Sequence, residues 1–189
     1  MYQTAALILV GVLALANLLF TFGVVRRLRE HTAELADLRS GRLGVGGTDV
    51  ALPAGATVGH FEAAEVGGRS VTLTEMGERP LVGFFSPHCG PCKERLPLFA
   101  EHAATRPGGP AEVLAVVVGT PDDTAEVVEQ LLPVATVVVE PDQGPLQRAF
   151  GVSGFPAFVL VEGGVVGASG FDFEPVASRD AAAAVPAAS

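Results

Sequence analysis

The sequence predicts an α/β domain, a central mixed β-sheet flanked by helices, carried behind an N-terminal transmembrane helix. Three observations lead there. Apolar, β-branched runs alternate with helical patterns between residues 80 and 150, the pattern of a sheet covered by helices. Two further runs flank Gly163-Gly164, which reads as a hairpin closing the sheet with antiparallel strands. Finally, no residue from Thr4 to Val25 is charged, and about 20 apolar residues suffice to span a bilayer.

Residues 1–25 are therefore expected to anchor the chain in the lipid bilayer through residues 4–25. A cleaved signal peptide would need a positive start and a shorter apolar core. Ala14-Leu15-Ala16 resembles a cleavage box, but Leu18-Leu19-Phe20 continues the apolar run past it. Residues 26–56 follow as a juxtamembrane helix, with Leu28, Leu35 and Leu38 near one face, and a Gly-, Ala- and Pro-rich linker. The folded domain is expected over 57–172, and 173–189 reads as an Ala/Pro-rich tail with no assigned element.

Within the domain, Phe61–Val66 and Ser70–Leu73 surround a Gly67-Gly68 turn and predict two short strands. Pro80–Phe85 is a buried strand. Gly90 to about Thr105 is a helix, kinked by Pro97, which lacks the N–H that an interior position uses. Val113–Val118 is apolar without alternation, as in a strand covered on both faces. Pro121–Leu132 opens on helix-start residues and carries Val127, Val128 and Leu131 on one face. Thr136–Val139 is a further buried strand, and Pro145–Phe150 a short helix closed by Gly151. Ala157–Val161 and Val165–Ala168 form the hairpin.

The chain's two cysteines stand together in Cys89-Gly90-Pro91-Cys92, between a strand and a helix. Thiols at i and i+3 on the first turn of a helix can close a small disulfide ring. The unpaired N–H groups and positive dipole end favour a thiolate at Cys89, the species that attacks disulfides. A structural disulfide is the plainer alternative, but so short a loop gains little from cross-linking. A structural zinc site would want further ligands at suitable spacing, and none is present. No metal and no cofactor beyond the redox-active Cys89–Cys92 disulfide is expected.

Phe84 to Lys93, and Gly151-Val152-Ser153-Gly154-Phe155-Pro156-Ala157-Phe158, resemble the active-site strand and the cis-proline loop of the thioredoxin superfamily. The likeness covers about residues 57–170 and implies a thioredoxin-like fold. The anchor, the extra hairpin and Glu94-Arg95-Leu96-Pro97 look like membrane-anchored TlpA/ResA-type thiol–disulfide oxidoreductases. The apolar start, the stalk and Ser86-Pro87-His88-Cys89 are similar to MauD-type proteins, associated with maturing the disulfide-rich small subunit of methylamine dehydrogenase.

The resemblance implies that Cys89 is the attacking thiol and Cys92 the resolving one. Pro156, cis to Phe155, would lie against the pair and leave the Phe155 backbone free for an extended substrate, with Phe155 adding an apolar contact. Gly90 and Pro91 shape the loop. His88 precedes the first cysteine, where an imidazolium would favour the Cys89 thiolate; an imidazole turned to solvent is the other reading. Two departures stand out. Gly83 occupies the position of the buried acid of thioredoxins, and Arg95 the position where ResA-like members often have Glu. Glu94 is a weak candidate for proton transfer beside its plainer reading as a solvated helix residue. His31, His60 and His102 are read as bystanders.

The net charge of −9 divides unevenly. Arg26, Arg27, Arg29, Arg39 and Arg42 outnumber Glu30, Glu34 and Asp37 near the anchor, so the domain beyond is acidic and offers no surface for nucleic acid. The expected partners are proteins with disulfides or thiols, and a membrane electron donor or acceptor. Arg26, Arg27 and Arg29 follow the anchor, which by the positive-inside rule puts the domain in the cytoplasm. The resemblance implies the opposite side, where disulfides persist, and an extracytoplasmic domain is the reading taken. The Gly-Pro pair is that of thioredoxin, a reductant, so reductase or isomerase work is expected. A disulfide-donating oxidase and a non-catalytic, membrane-tethered assembly chaperone using the cis-proline groove are the alternatives. A peroxiredoxin-type peroxidase would want a Pro-x-x-x-Thr-x-x-Cys pattern that Phe84 to Cys89 does not supply.

Overall fold

A computed structural model describes residues 50–184. The expected anchor and stalk lie outside the described residues. Among those described, no helix is long and apolar enough to cross a membrane. A two-stranded antiparallel ribbon comes first, β1 (Ala63–Ala64) with β2 (Ser70–Val71), followed by a 3₁₀ turn at Leu73–Met76. The main elements are then β3 (Leu81–Phe85), α1 (Gly90–Ala104), β4 (Val113–Val118), α2 (Pro121–Leu131), β5 (Thr136–Glu140), α3 (Pro145–Ala149), β6 (Ala157–Glu162), β7 (Val165–Gly170) and α4 (Phe173–Ala184).

Five strands form the central sheet in the order β5-β4-β3-β6-β7. β3, β4 and β5 run parallel, whereas β6 pairs antiparallel with β3 and with β7. The sheet is mixed because two kinds of connection build it. Helices carry the chain between parallel strands, while the two-residue turn at Gly163 (φ +60°) and Gly164 (φ +84°) reverses it at once. Positive φ at both turn positions matches the twist of a tight hairpin, and glycine adopts it without a Cβ clash.

The strands read as unbroken apolar runs because both faces are covered. Val82, Phe84, Leu114 and Val116 point into one core, with Phe61, Leu146 and Phe150. Leu81, Phe85, Val113, Ala115 and Val117 point into the other, with Leu96 and Phe99 of α1, Leu131 of α2 and Val176 of α4. The two-residue period of the pleat sorts them.

Two expectations need correction. The segment from 173, read as a tail with no element assigned, carries a helix: α4 runs to Ala184. Phe173, Val176 and Asp180 are buried on one helical face, and Asp180 meets the buried Arg106 guanidinium beyond the end of α1. The domain also starts before residue 57. Leu52 N–H donates to the Phe150 carbonyl at 2.9 Å, Gly55 N–H to Val166 at 2.7 Å, and Ala51 is buried. A segment rich in Gly and Pro is held by its backbone, so its composition misleads.

Candidate active site

β3 ends at Phe85, and the chain turns through Ser86, Pro87 and His88 before α1 begins. Cys89 is the N-cap of α1, in extended conformation (φ −91°, ψ 114°). Its sulfur accepts the Cys92 N–H at 3.2 Å, as a capping side chain does. Gly90 and Pro91 fill the first helical positions, where a missing N–H leaves no intrahelical bond unmade. Cys89 and Cys92 form a disulfide with Cα atoms 5.2 Å apart. Cys92 is 2% exposed, whereas Cys89 is partly exposed. Cys89 is thus the more accessible of the two residues.

Opposite the pair, the Phe155-Pro156 peptide is cis. Pro156 is buried and Phe155 partly so, and the Phe155 carbonyl oxygen is 3.4 Å from Cys89 Sγ. In the reduced protein the Cys89 thiol can donate to that oxygen. The loop is braced by the start of the domain: Ser153 N–H donates to the Val50 carbonyl at 2.9 Å, and Ser169 Oγ to the Leu52 carbonyl at 2.7 Å.

The floor beneath Cys92 is aromatic. Phe85, Phe99, Phe158 and Phe173 pack with centroid separations of 5.0 to 5.9 Å. Gly83 is where a buried acid was sought, and the geometry explains its absence. A Cβ there would stand 2.8 Å from both Phe85 Cε2 and Phe99 Cε2. The rings occupy the space.

A family model for the AhpC/TSA family matches residues 54–168. The chain belongs to that family. Among solved structures it is similar to the thioredoxin domain of a thiol-disulfide oxidoreductase from Bacteroides vulgatus (TM-score 0.59, 18% identity, covering 69% of this chain and 97% of that one). It is similar to a secreted Mycobacterium tuberculosis disulfide oxidoreductase homologous to E. coli DsbE (0.53, 19%, 65% and 95%). MTB DsbF, in its mixed oxidized and reduced forms, is a third (0.53, 22%, 65% and 93%). No curated protein matches the chain. This AhpC/TSA member thus has a thioredoxin-like fold, and its dithiol is of a kind suited to disulfide exchange.

The remaining residues singled out from sequence fall around that pair in different ways. His88 is exposed on the turn before Cys89, and Glu94 is exposed on α1. Neither is buried against Cys92. His102, read as a bystander to the cysteines, joins a cluster at the far end of α1, with Nε2 2.9 Å from Asp180 Oδ2. Arg106 and Asp180 form the centre of that cluster, with Arg79 3.6 Å from Asp180 and Glu112 3.5 Å from Arg106. A cavity of about 530 Å³ lies beside it, lined by Glu78, Arg79 and Arg106 among others. It is remote from the disulfide, so its size says nothing about the exchange chemistry. Among the described residues no group of three His, Cys, Asp or Glu could hold a metal ion.

Sequence reading passed over Phe171 and Asp172. Arg95 donates to Asp172 Oδ1 at 2.7 Å and lies over the Phe171 ring at 4.4 Å. An Arg one turn after a buried cysteine was the only local sign. Its partners lie about 77 residues away in the chain, beyond any short motif.

Proposed function

We propose that this protein is a membrane-tethered thiol–disulfide oxidoreductase acting on extracytoplasmic protein substrates, as a reductase or isomerase. The observation that carries the activity is the Cys89–Cys92 disulfide at the N-terminus of α1, with Cys89 reachable and Cys92 covered. In the reducing direction, the Cys89 thiolate attacks one sulfur of a client disulfide, and the client's other sulfur leaves as a thiolate. Cys92, deprotonated, then attacks Cys89 Sγ and breaks the mixed disulfide. The client departs with two thiols, and the Cys89–Cys92 bond holds the two oxidising equivalents until an electron donor in the membrane reduces it. A client segment laid along Phe155 would sit beside Cys89, because the Phe155 carbonyl already faces that sulfur.

The tether is supported by the uncharged run from Thr4 to Val25. The side of the membrane is supported by the chemistry: disulfides persist outside the cytoplasm. Similarity to MauD-type proteins over Ser86–Cys89 supports a client such as the disulfide-rich subunit of methylamine dehydrogenase. The test is the redox state of the pair in the native cell, trapped by acid and read as an alkylation mass shift. A mostly reduced pair supports a reductase or isomerase; a mostly oxidised pair makes the protein a disulfide donor and overturns the direction.

The family match favours one second reading, a thiol peroxidase. Against it, Val82 and Ser86 stand where a Pro-x-x-x-Thr-x-x-Cys pattern ending at Cys89 would place Pro and Thr. Consumption of hydrogen peroxide by the reduced full-length protein, faster than its reduction of insulin disulfides, would favour the peroxidase.

A further inference from the structure

We propose that Arg95, held by Asp172 and Phe171, sets the charge environment of Cys92 and favours its thiolate, in place of a buried acid. The inference deepens the oxidoreductase reading and rests on it for its consequence.

Arg95 is three residues after Cys92 on α1, and residues at that spacing are neighbours on one face, about 5–6 Å apart at Cβ. Helical side chains lean towards the N-terminus and cover the preceding turn, which for Arg95 is the turn that carries Cys92. The Arg95 side chain is 23% exposed, against 70% for Asp172. Its position is fixed on two sides, by the Asp172 carboxylate and the Phe171 ring. The sheet register places those partners at the disulfide end of the domain. Gly170 pairs with Phe158, and Pro156 lies two residues before Phe158, just ahead of the adjoining strand.

The other charges near Cys92 do not compete. His88, Lys93 and Glu94 are exposed on the turn and on α1, and Glu174 is exposed at the start of α4. β3 and β6 contribute Phe85 and Phe158, and Gly83 admits no carboxylate. A thiolate on an apolar floor is disfavoured by desolvation. Arg95, one turn further along α1, is a positive group held in place by two partners and can offset that cost, and the exposed Asp172 dampens it from the solvent side.

The consequence falls on the second step of exchange. Cys92 loses its proton to water, and the resulting thiolate attacks Cys89 Sγ, expelling the client sulfur as a thiolate. A larger thiolate fraction at Cys92 speeds that attack near neutral pH.

Full-length protein carrying Cys89→Ser keeps Cys92 as its sole thiol, since the chain has two cysteines. Thiolate absorbance near 240 nm, followed against pH, reads the ionisation of Cys92 directly. Adding Arg95→Met should lower the thiolate fraction at neutral pH about fivefold, the scale of one charge at this range in a partly solvated site. Arg95→Lys should stay within about twofold of the parent, and Asp172→Asn should move the fraction the other way. The proposal is overturned by a titration that Arg95→Met leaves in place, by equal shifts for Met and Lys, or by an Asp172→Asn shift in the Met direction. The titration needs no client. Failure of the whole protein to reduce any disulfide would therefore sink the functional reading while leaving this result to stand.

Discussion

At its N-terminal end helix α1 carries a disulfide whose Cys92 joins an apolar core with Phe85, Phe99 and Phe158. At its other end stand the half-buried His102 imidazole of its last turn, the buried Arg106 guanidinium just beyond it and the buried Asp180 carboxylate of α4. The same helix thus joins an end poor in buried ionisable groups to one rich in them. The difference follows from what each end must do. At the disulfide end the Phe85 and Phe99 rings fill the space that a carboxylate on β3 would need. At the far end the charges have only to lock α4 against α1, and Asp180 does so by facing Arg106, Arg79 and His102 together.

The largest effect should come at the disulfide end. Cys89→Ser removes the attacking sulfur and should lower the rate of insulin disulfide reduction by on the order of a thousandfold or more, with folding unchanged by circular dichroism. A protein that merely holds clients would keep its cellular role after this change, so complementation by the serine variant would break the enzymatic side of the comparison. Next in size is Asp180→Asn at the far end. It leaves Arg106 buried without its main partner, which costs about 3 kcal/mol in the stability of the fold. Urea unfolding measures it, and the Cys89–Cys92 potential should stay where it was. A shift in potential would show that the two ends are coupled through α1.

The sequence made the two ends unequally visible. Cys89, Cys92, Phe155 and Pro156 form two short motifs whose chemistry is legible residue by residue, and the structure brings them together. β3, β4 and β5 were equally legible, because strands covered on both faces read as unbroken runs of Val and Leu. The far end was not. Asp180 is a charge at a core position of α4, and it reads as solvent-facing until Arg106 is seen opposite. Val50 to Ala56 was hidden for another reason. Ala51 is buried in the core with Val50 and Leu52 packed against it, and backbone hydrogen bonds to Phe150, Val166 and Ser153 hold the segment in place, but three apolar residues form too short a pattern to read as an element. The apolar run from Thr4 to Val25 is plain in composition, but it lies outside the described residues.

Gly83→Ala sharpens the comparison at the level of packing. One added methyl must displace the Phe85 or Phe99 ring, since their nearest atoms would lie 2.8 Å away. Overpacking of this kind costs about 1–3 kcal/mol. The midpoint of urea unfolding should fall accordingly, and the loss should be larger for Gly83→Asp, which adds a charge that finds no partner on the aromatic floor. A Gly83→Asp protein as stable as the parent would show that the floor yields, and that an acid could have been accommodated.

The smallest effect is expected at Glu162, on the charged end. Its hydrogen bond from Arg179, together with the positive charges of Arg179 and Arg79, holds its carboxyl below the usual carboxylate range against the opposing effect of burial. A folded-state value depressed in this way contributes stability above the unfolded-state value. The contribution disappears as the pH falls through the folded-state value. Glu162→Gln should therefore flatten the acid limb of the stability curve while changing stability at neutral pH by only a few tenths of a kcal/mol, as surface pairs do. Thermal melts at neutral and at acid pH provide the measurement. An unchanged acid limb would mean that Arg179 and Arg79 leave Glu162 as solvated as any surface carboxylate, and that the charged end of α1 rests on Asp180 and Arg106 alone.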